Sequence, residues 1–128
     1  MKTTYPIVIY PKGKEKYSYV YVPDFDRGTQ GEDLAECMDM ARDLIGLLSL
    51  DISELPLASS YEKVLNDYKG CLVTLVDIDI DKYKKEYYNR TVRRNVTLPY
   101  SLDEEARKAG INVSAVLQVA LKKELNMN

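Results

Sequence analysis

Short apolar stretches in the first 81 residues follow β-type patterns and predict a small sheet. Residues 5–10 read YPIVIY and residues 17–22 read YSYVYV, the latter in strict alternation. The PKGKEK turn between them predicts that the two strands form a hairpin. A short third strand fits around Thr29. The most hydrophobic stretch, CLVTLVDID from Cys71 onward, predicts a central strand.

A helix is predicted between the third strand and CLVTLVDID. Asp33 and Glu36 have the spacing of a capping box, in which the first side chain accepts a backbone N–H and the second reaches back. The helix is expected to end near Ser49. Its apolar positions recur every three or four residues: Leu34, Cys37, Met38, Ala41, Leu44, Ile45 and Leu48. The order β-β-(β)-α-β, with one helix covering a small sheet, indicates an α+β fold class.

The end of the chain follows a strand–helix–helix pattern. Side chains alternate across a strand, so residues 91–98 have one polar and one mostly apolar face. The polar face carries Thr91, Arg93, Asn95 and Thr97, and the other carries Val92, Arg94, Val96 and Leu98. Pro99 then ends the strand.

Capping signals define the two helices that follow. Ser101 and Glu104 have capping-box spacing, and Gly110 fits a left-handed helix end. Asn112 or Ser114 caps the next helix, whose apolar positions recur at helical spacing. We therefore expect a front domain at residues 1–81, a linker or short helix at residues 82–90, and a C-terminal domain at residues 91–128.

The C-terminal domain is too small to bury a stable core alone, and a lone strand leaves its backbone groups unpaired. Pairing with the same strand of a second chain solves both problems. The result is a two-stranded antiparallel ribbon whose apolar face is covered by four helices. We therefore expect a homodimer, or a higher even oligomer, assembled through this domain.

Such a ribbon fits the major groove of double-stranded DNA. Arginine binds guanine O6 and N7, asparagine binds adenine N6 and N7, and threonine offers a hydroxyl and a methyl group. The expected base-contacting residues are Arg93, Asn95 and Thr97. Free N–H groups at the start of the last helix suit a phosphate, so the expected phosphate contacts are Asn112, Val113 and Ser114.

The amino-acid composition excludes several catalytic mechanisms. The 128 residues are 45% hydrophobic and 30% charged and include no histidine, which excludes Ser/His and Cys/His nucleophile systems. Cys37 and Cys71 lack metal-binding spacing and are expected to be reduced. Without a signal peptide or an apolar run of about 20 residues, the chain is expected in the cytoplasm, without membrane association, cofactor, metal or catalytic residue.

Charge is distributed unevenly along the chain. Residues 1–81 hold 8 basic and 15 acidic residues, a net charge of −7, whereas residues 82–128 hold 10 basic and 5 acidic residues, a net charge of +5. The acidic part is suited to a basic partner and the basic part to nucleic acid.

Two stretches resemble known families. The segments RRNVTLP and AGINVSAVLQVAL are similar to a ribbon-helix-helix domain of the Arc and MetJ type. The segment YVPDFDRGTQGEDLAECMDMA, followed by LVTLVDID, resembles the HicB signature, although PDFDRG stands where that family usually has Pro-Asp-x-Pro-Gly-Cys. Together the two resemblances cover nearly the whole chain.

The HicB resemblance implies a partial, ribonuclease-H-like front domain without nuclease activity. It implies an antitoxin that neutralises a HicA-type, mRNA-cleaving toxin and represses its own operon by binding operator DNA. By the same resemblance, toxin contacts are expected at Asp24, Phe25 and Asp26. The alternative is a ribbon-helix-helix transcription factor whose front domain senses a small ligand.

Two further features are candidate sites. Asp77, Asp79 and Asp81 form a D-x-D-x-D run, but a calcium loop needs Gly at its sixth and Glu at its twelfth position. Lys82 and Tyr88 stand there, so the run is interpreted as solvent-facing. A nuclease would need these acids to converge with others on metal ions.

The tyrosines at positions 17, 19 and 21 share one strand face. Tyrosines on a sheet can stack on bases, but the acidic front domain would repel RNA. Core packing or a protein interface is favoured for them.

Overall fold

A computed structural model describes residues 1–127. The elements, in chain order, are β1 (Lys2–Ile9), β2 (Ser18–Val22), β3 (Arg27–Gly31), α1 (Leu34–Ser49), α2 (Tyr61–Asp67), β4 (Leu72–Asp79), α3 (Ile80–Asn89), α4 (Tyr100–Lys108) and α5 (Val113–Glu124). The chain divides into two compact units, the first Met1–Arg90 and the second beginning at Thr91. The predicted α+β class and the order of the front strands and helix are confirmed.

The four strands form one antiparallel sheet in the order β3-β2-β1-β4. Val8 of β1 pairs with Tyr21 of β2 on one side and with Val73 of β4 on the other. β1 is therefore an inner strand, and its residues 5–9 are all buried.

The expectation that CLVTLVDID is central was wrong, because β4 lies at the edge of the sheet. Its hydrophobicity has another cause, since both of its faces carry apolar residues. Val76 and Ile78 join the core beneath α1, whereas Val73 packs beside Val64 of α2. A strand that packs against other elements on both faces has a nearly continuous apolar sequence. This holds for an edge strand as well, which pairs with one strand only.

The main core lies between the sheet and α1. Strand residues of one parity, such as Ile7 and Val20, meet Cys37, Ala41 and Ile45 of the helix. The start of α1 approaches β3 so closely that a Cβ at Gly31 would lie 2.6 Å from the backbone N of Cys37. Glycine is therefore required there by the helix–sheet distance, not by its backbone angles.

The predicted cap of α1 is confirmed. Asp33 Oδ1 accepts the N–H of Glu36 at 2.7 Å, and the Glu36 carboxylate reaches back to the N–H of Glu32 at 3.3 Å. The return bond thus lands one residue earlier than in the standard capping box.

The segment at residues 82–90, predicted as a linker or short helix, lies in α3 and Arg90 and belongs to the first unit. The Tyr83 ring packs where a Cβ at Gly46 would come within 2.5 Å of it. Its hydroxyl donates to Asp43 Oδ1 at 2.8 Å. The boundary therefore falls after Arg90 and not after residue 81, because α3 docks on α1.

In the second unit, α4 begins at Tyr100 with Pro99 at its N-cap position. The expectation of a Ser101 cap was wrong, since Ser101 lies inside the helix. Proline's fixed φ suits a helix start, and the Pro99 carbonyl accepts the N–H groups of Leu102 and Asp103 at 3.1 Å each.

The predicted left-handed end of α4 is confirmed, with Gly110 at φ +67°. The N–H of Gly110 donates to Arg107 O at 3.1 Å, and that of Ile111 donates to Ala106 O at 3.0 Å. This is the Schellman pattern. Asn112, not Ser114, then caps α5 by accepting the N–H of Ala115 at 3.1 Å.

Candidate functional site

The predicted toxin-contacting residues 24–26 form the tight turn between β2 and β3. The Asp24 carboxylate faces inward, where it accepts the backbone N–H of Ser59 at 3.0 Å and the Ser59 hydroxyl at 2.6 Å. Phe25 packs edge-on against Tyr5 with ring centroids 5.0 Å apart. Both side chains thus hold the turn and the loop before α2 in place.

Asp26 is the exposed member of the turn. It adopts a left-handed conformation at φ +50°, which aspartate tolerates better than most residues. Its carboxylate accepts a hydrogen bond from the Tyr21 hydroxyl, and this bond raises the pKa of Tyr21 to about 12. The turn therefore presents one carboxylate to solvent.

The acidic side chains at the end of β4 bind neighbouring groups of the first unit. Asp77 pairs with Lys2 at 3.4 Å and Arg42 at 3.6 Å, and the hydrogen bond from Lys2 lowers the pKa of Asp77. Asp79 caps α3 by accepting the N–H of Lys82 at 3.2 Å. Among residues 1–127, no group of three or more His, Cys, Asp or Glu side chains is placed to hold a metal ion.

The tyrosines of β2 lie on the sheet face opposite α1. Tyr19 and Tyr21 share that face, whereas Tyr17 precedes the strand. Their rings continue a row in which Tyr10 lies 5.4 Å from Tyr19, Tyr19 lies 6.4 Å from Tyr21, and Tyr21 lies 6.1 Å from Tyr68. Tyr19 remains 49% exposed, so the row is not part of the main core.

The outer face of α1 was not among the sites predicted from the sequence. Five residues share the outward side at three- and four-residue spacing and form what we call the acidic–apolar stripe: Glu36, Asp39, Met40, Asp43 and Leu47. All five are exposed. The signal that would have found it is apolar residues recurring on the polar side of an amphipathic helix.

The predicted DNA-contacting segment is open in the single chain. Residues 91–99 lie in neither a helix nor a strand, and every one of them is exposed. Val92 is 67% exposed and Val96 is 52% exposed. The structure therefore leaves the backbone of Arg93, Asn95 and Thr97 without a strand partner inside the described part of the chain.

The second unit has no buried residue between positions 91 and 127. Both of its helices expose large apolar side chains, among them Leu102 at 55%, Val116 at 56% and Val119 at 66%. An apolar cleft on α5 is lined by Ala115, Val116, Val119, Ala120 and Lys123. Exposed apolar surface on this scale is typical of an interaction surface.

The predicted phosphate-binding residues lie together at the start of α5. The Asn112 side chain is occupied by its cap bond to Ala115. The first N–H of the helix that bonds to a backbone carbonyl belongs to Val116, which donates to Asn112 O at 3.1 Å. The N–H groups of Val113 and Ser114 precede that bond and point out of the helix end.

Comparison with protein families places the chain in the class of bacterial antitoxins. A family model described as a HicB-like antitoxin of bacterial toxin–antitoxin systems matches residues 5–120. Because this match spans most of the chain, the protein belongs to the HicB-like antitoxin family. The HicB resemblance seen in the sequence is thereby confirmed, while the ribbon-helix-helix assignment stays a prediction.

Among solved structures, the chain is similar to the crystal structure of the Burkholderia pseudomallei antitoxin HicB. The match covers 97% of both chains, with a TM-score of 0.54 and 20% sequence identity, and at that identity it concerns the fold alone. Comparison with curated proteins finds no match. In the part of the chain described, no helix is both long enough and apolar enough to span a membrane.

Proposed function

We propose that the protein is a cytoplasmic antitoxin that binds and neutralises a HicA-type, mRNA-cleaving toxin and represses its own operon. The observation that carries the proposal is the family match over residues 5–120. It acts by stoichiometric binding and not by catalysis. The first unit binds the toxin, and the second binds operator DNA.

For the DNA-binding part, we propose that residues 91–98 of two chains pair into an antiparallel ribbon. The exposure of the whole segment and its missing strand partner within residues 1–127 support this pairing. Arg93, Asn95 and Thr97 of both chains then face the major groove. The N–H groups at the start of α5 contact the flanking phosphates.

The exposed apolar residues of the second unit support dimerisation. A unit of this size without an internal core gains stability by burying apolar area against a second copy, at roughly 25 cal/mol per Å². Val92, Val96 and Leu98 lie on the ribbon face that would turn toward the helices. The dimer would thereby cover surface that the single chain leaves in water.

Within the predicted toxin-contacting turn, Asp26 is the residue proposed to touch the toxin. It is exposed and charged, whereas Asp24 and Phe25 are used inside the unit. A basic toxin surface would meet a carboxylate there.

The test is to search beside the gene of this protein for a short reading frame that encodes a basic protein, and to co-express the two proteins. We expect the two proteins to co-purify, and growth arrest by the neighbouring protein to be relieved when this protein is present. We also expect the full-length protein to retard DNA from its own promoter. Absence of both co-purification and growth rescue would overturn the toxin-binding role, and absence of promoter binding would overturn the repressor role.

A further inference from the structure

The outer face of α1 combines negative charge with exposed apolar area. In the acidic–apolar stripe, Met40 is 38% exposed and Leu47 is 39% exposed. Glu36, Asp39 and Asp43 flank these two side chains on the same face. Apolar residues in the middle of a polar helix face are the arrangement of helices that dock on another protein.

Among the described residues, Asp39 is the one stripe carboxylate with an ion-pair partner. Arg42 is the only basic residue within α1. It pairs with Asp39 at 2.9 Å, but its Nε donates to the Asp77 carbonyl at 2.8 Å, so its guanidinium is held toward β4. A solvated helix usually carries interspersed charges of both signs, whereas this face is acidic along its length.

The carboxylates of the stripe are fixed in position by bonds within the first unit. Asp43 accepts the Tyr83 hydroxyl at 2.8 Å, Asp39 accepts Arg42, and Glu36 accepts the N–H of Glu32. Side chains that are already ordered lose little conformational freedom on binding, which favours affinity.

We propose that the acidic–apolar stripe of α1 is a second surface through which the first unit contacts its protein partner, in addition to the turn that carries Asp26. The partner surface is basic, with lysine or arginine residues around an apolar patch that meets Met40 and Leu47. The first unit, residues 1–90, holds 12 basic and 16 acidic residues, and its net charge of −4 favours a basic partner over nucleic acid. The inference rests on the proposed function, since it takes the basic toxin as the partner.

Isosteric substitutions allow the charge to be removed without breaking the bonds within the unit. Glu36→Gln, Asp39→Asn and Asp43→Asn together remove three negative charges and keep an acceptor oxygen at each position. The matched control is Glu54→Gln, Glu62→Gln and Asp67→Asn, three exposed acids outside α1. The probe is the full-length basic protein identified by co-purification, titrated against the full-length antitoxin.

We expect the stripe variant to bind the toxin at least tenfold more weakly at low salt, mainly through a slower association rate. The difference in affinity between the stripe variant and wild type should shrink as the salt concentration rises, because salt screens the attraction between the two proteins. The control variant should stay within about threefold of wild type at each salt concentration. Equal affinity of the stripe variant and wild type would overturn the proposal.

The apolar half of the stripe has its own pair of variants. Met40→Ser should weaken toxin binding at least fivefold and mainly raise the dissociation rate, since an apolar contact is lost. Leu65→Ser, at a similarly exposed leucine of α2, should leave the affinity unchanged. Equal effects of the two substitutions would count against the stripe.

The outcomes separate this inference from the proposed function. If the wild-type protein does not bind the toxin, the toxin-binding function fails and the inference fails with it. If wild type binds and the stripe variants bind equally well, only the inference fails. If the triple charge variant instead changes the oligomeric state of the antitoxin alone, the stripe is occupied by a second copy and the toxin assignment is overturned.

Discussion

Asp24 shows how a residue chosen as a binding residue can serve the fold instead. The sequence predicts that Asp24 lies in a turn and contacts the toxin. In the structure its carboxylate accepts two hydrogen bonds from Ser59, which lies 35 positions later in the chain. Nothing local predicts that pairing, because no motif links the two positions. The neighbouring Asp26 has the same chemistry and remains exposed.

This difference yields a residue-scale prediction. Asp24→Ala should lower the free energy of unfolding by about 1.5–3 kcal/mol, since hydrogen bonds to a charged group are lost and the Ser59 donors are left unpaired. Asp26→Asn should cost less than about 1 kcal/mol, because the bond to Tyr21 is exposed and asparagine tolerates the left-handed conformation. Urea unfolding monitored by circular dichroism measures both.

A double-mutant cycle with Ser59→Ala provides the control. The cost of Asp24→Ala should largely disappear in the Ser59→Ala background if the hydroxyl bond dominates. Full additivity of the two substitutions would show that Asp24 acts without the Ser59 hydroxyl, through the Ser59 backbone N–H that Ser59→Ala retains.

At the scale of elements, one tyrosine docks α3 on α1. Tyr83 packs over Gly46 of α1 and donates to Asp43. Burial, followed by that hydrogen bond, raises the pKa of Tyr83 to about 12. The pKa of Tyr83 is higher in the folded state than its unfolded value near 10, so the neutral hydroxyl stabilises the fold. This contribution is complete below about pH 10. That contribution is lost as the pH rises through about 12.

Tyr83→Phe should therefore lower the stability at pH 7 by about 1–2 kcal/mol through the lost hydrogen bond. It should also reduce the loss of stability between pH 10 and 12, compared with wild type. Urea unfolding at pH 7, 10 and 11.5 tests both effects. An unchanged alkaline slope would mean that Tyr83 does not couple ionisation to folding.

The segment at residues 91–98 provides the second prediction at this scale. Arg93→Ala should weaken operator binding by about 1–3 kcal/mol, because a bidentate contact to guanine is lost. Toxin neutralisation should be unaffected. Affinity for the operator and for unrelated DNA is measured at one salt concentration by fluorescence anisotropy.

The control removes the same charge from α4. Arg107 pairs with Asp103 at 3.0 Å and lies outside the proposed ribbon face. Arg107→Ala should therefore change operator affinity much less than Arg93→Ala. Operator binding by Arg93→Ala at the wild-type level would contradict the ribbon-face assignment.

At the scale of the whole molecule, the two units differ in how they bury apolar area. The first has its own core between the sheet and α1. The second has no buried residue between positions 91 and 127. A fragment of residues 1–90 should therefore fold as a stable unit and bind the toxin without binding operator DNA.

A fragment of residues 91–128 should become helical only as its concentration rises, because its folding is coupled to association. Circular dichroism over a hundredfold dilution series, with analytical ultracentrifugation, measures this. Helicity that does not change on dilution to nanomolar concentration would contradict folding by dimerisation. Operator binding by residues 1–90 would contradict the division of roles between the units.

The sequence by itself determined what depends on neighbouring residues. The cap of α1 at Asp33 and the left-handed end of α4 at Gly110 were both predicted from signals within a few positions. The HicB resemblance also came from contiguous segments. Such signals need no knowledge of the rest of the fold, because hydrogen bonds and periodicity within one element are local.

Only the tertiary structure decided what depends on distant residues. The edge position of β4, the docking of α3 through Tyr83 and the inward direction of Asp24 each need a partner tens of positions away in the chain. The same holds for the acidic–apolar stripe, whose exposure follows from which side of α1 the sheet covers. Tertiary packing decides which face of a helix is covered and which strands become neighbours, because the local pattern alone fits several arrangements. In α1 it leaves Met40 and Leu47 exposed on the same face as three carboxylates.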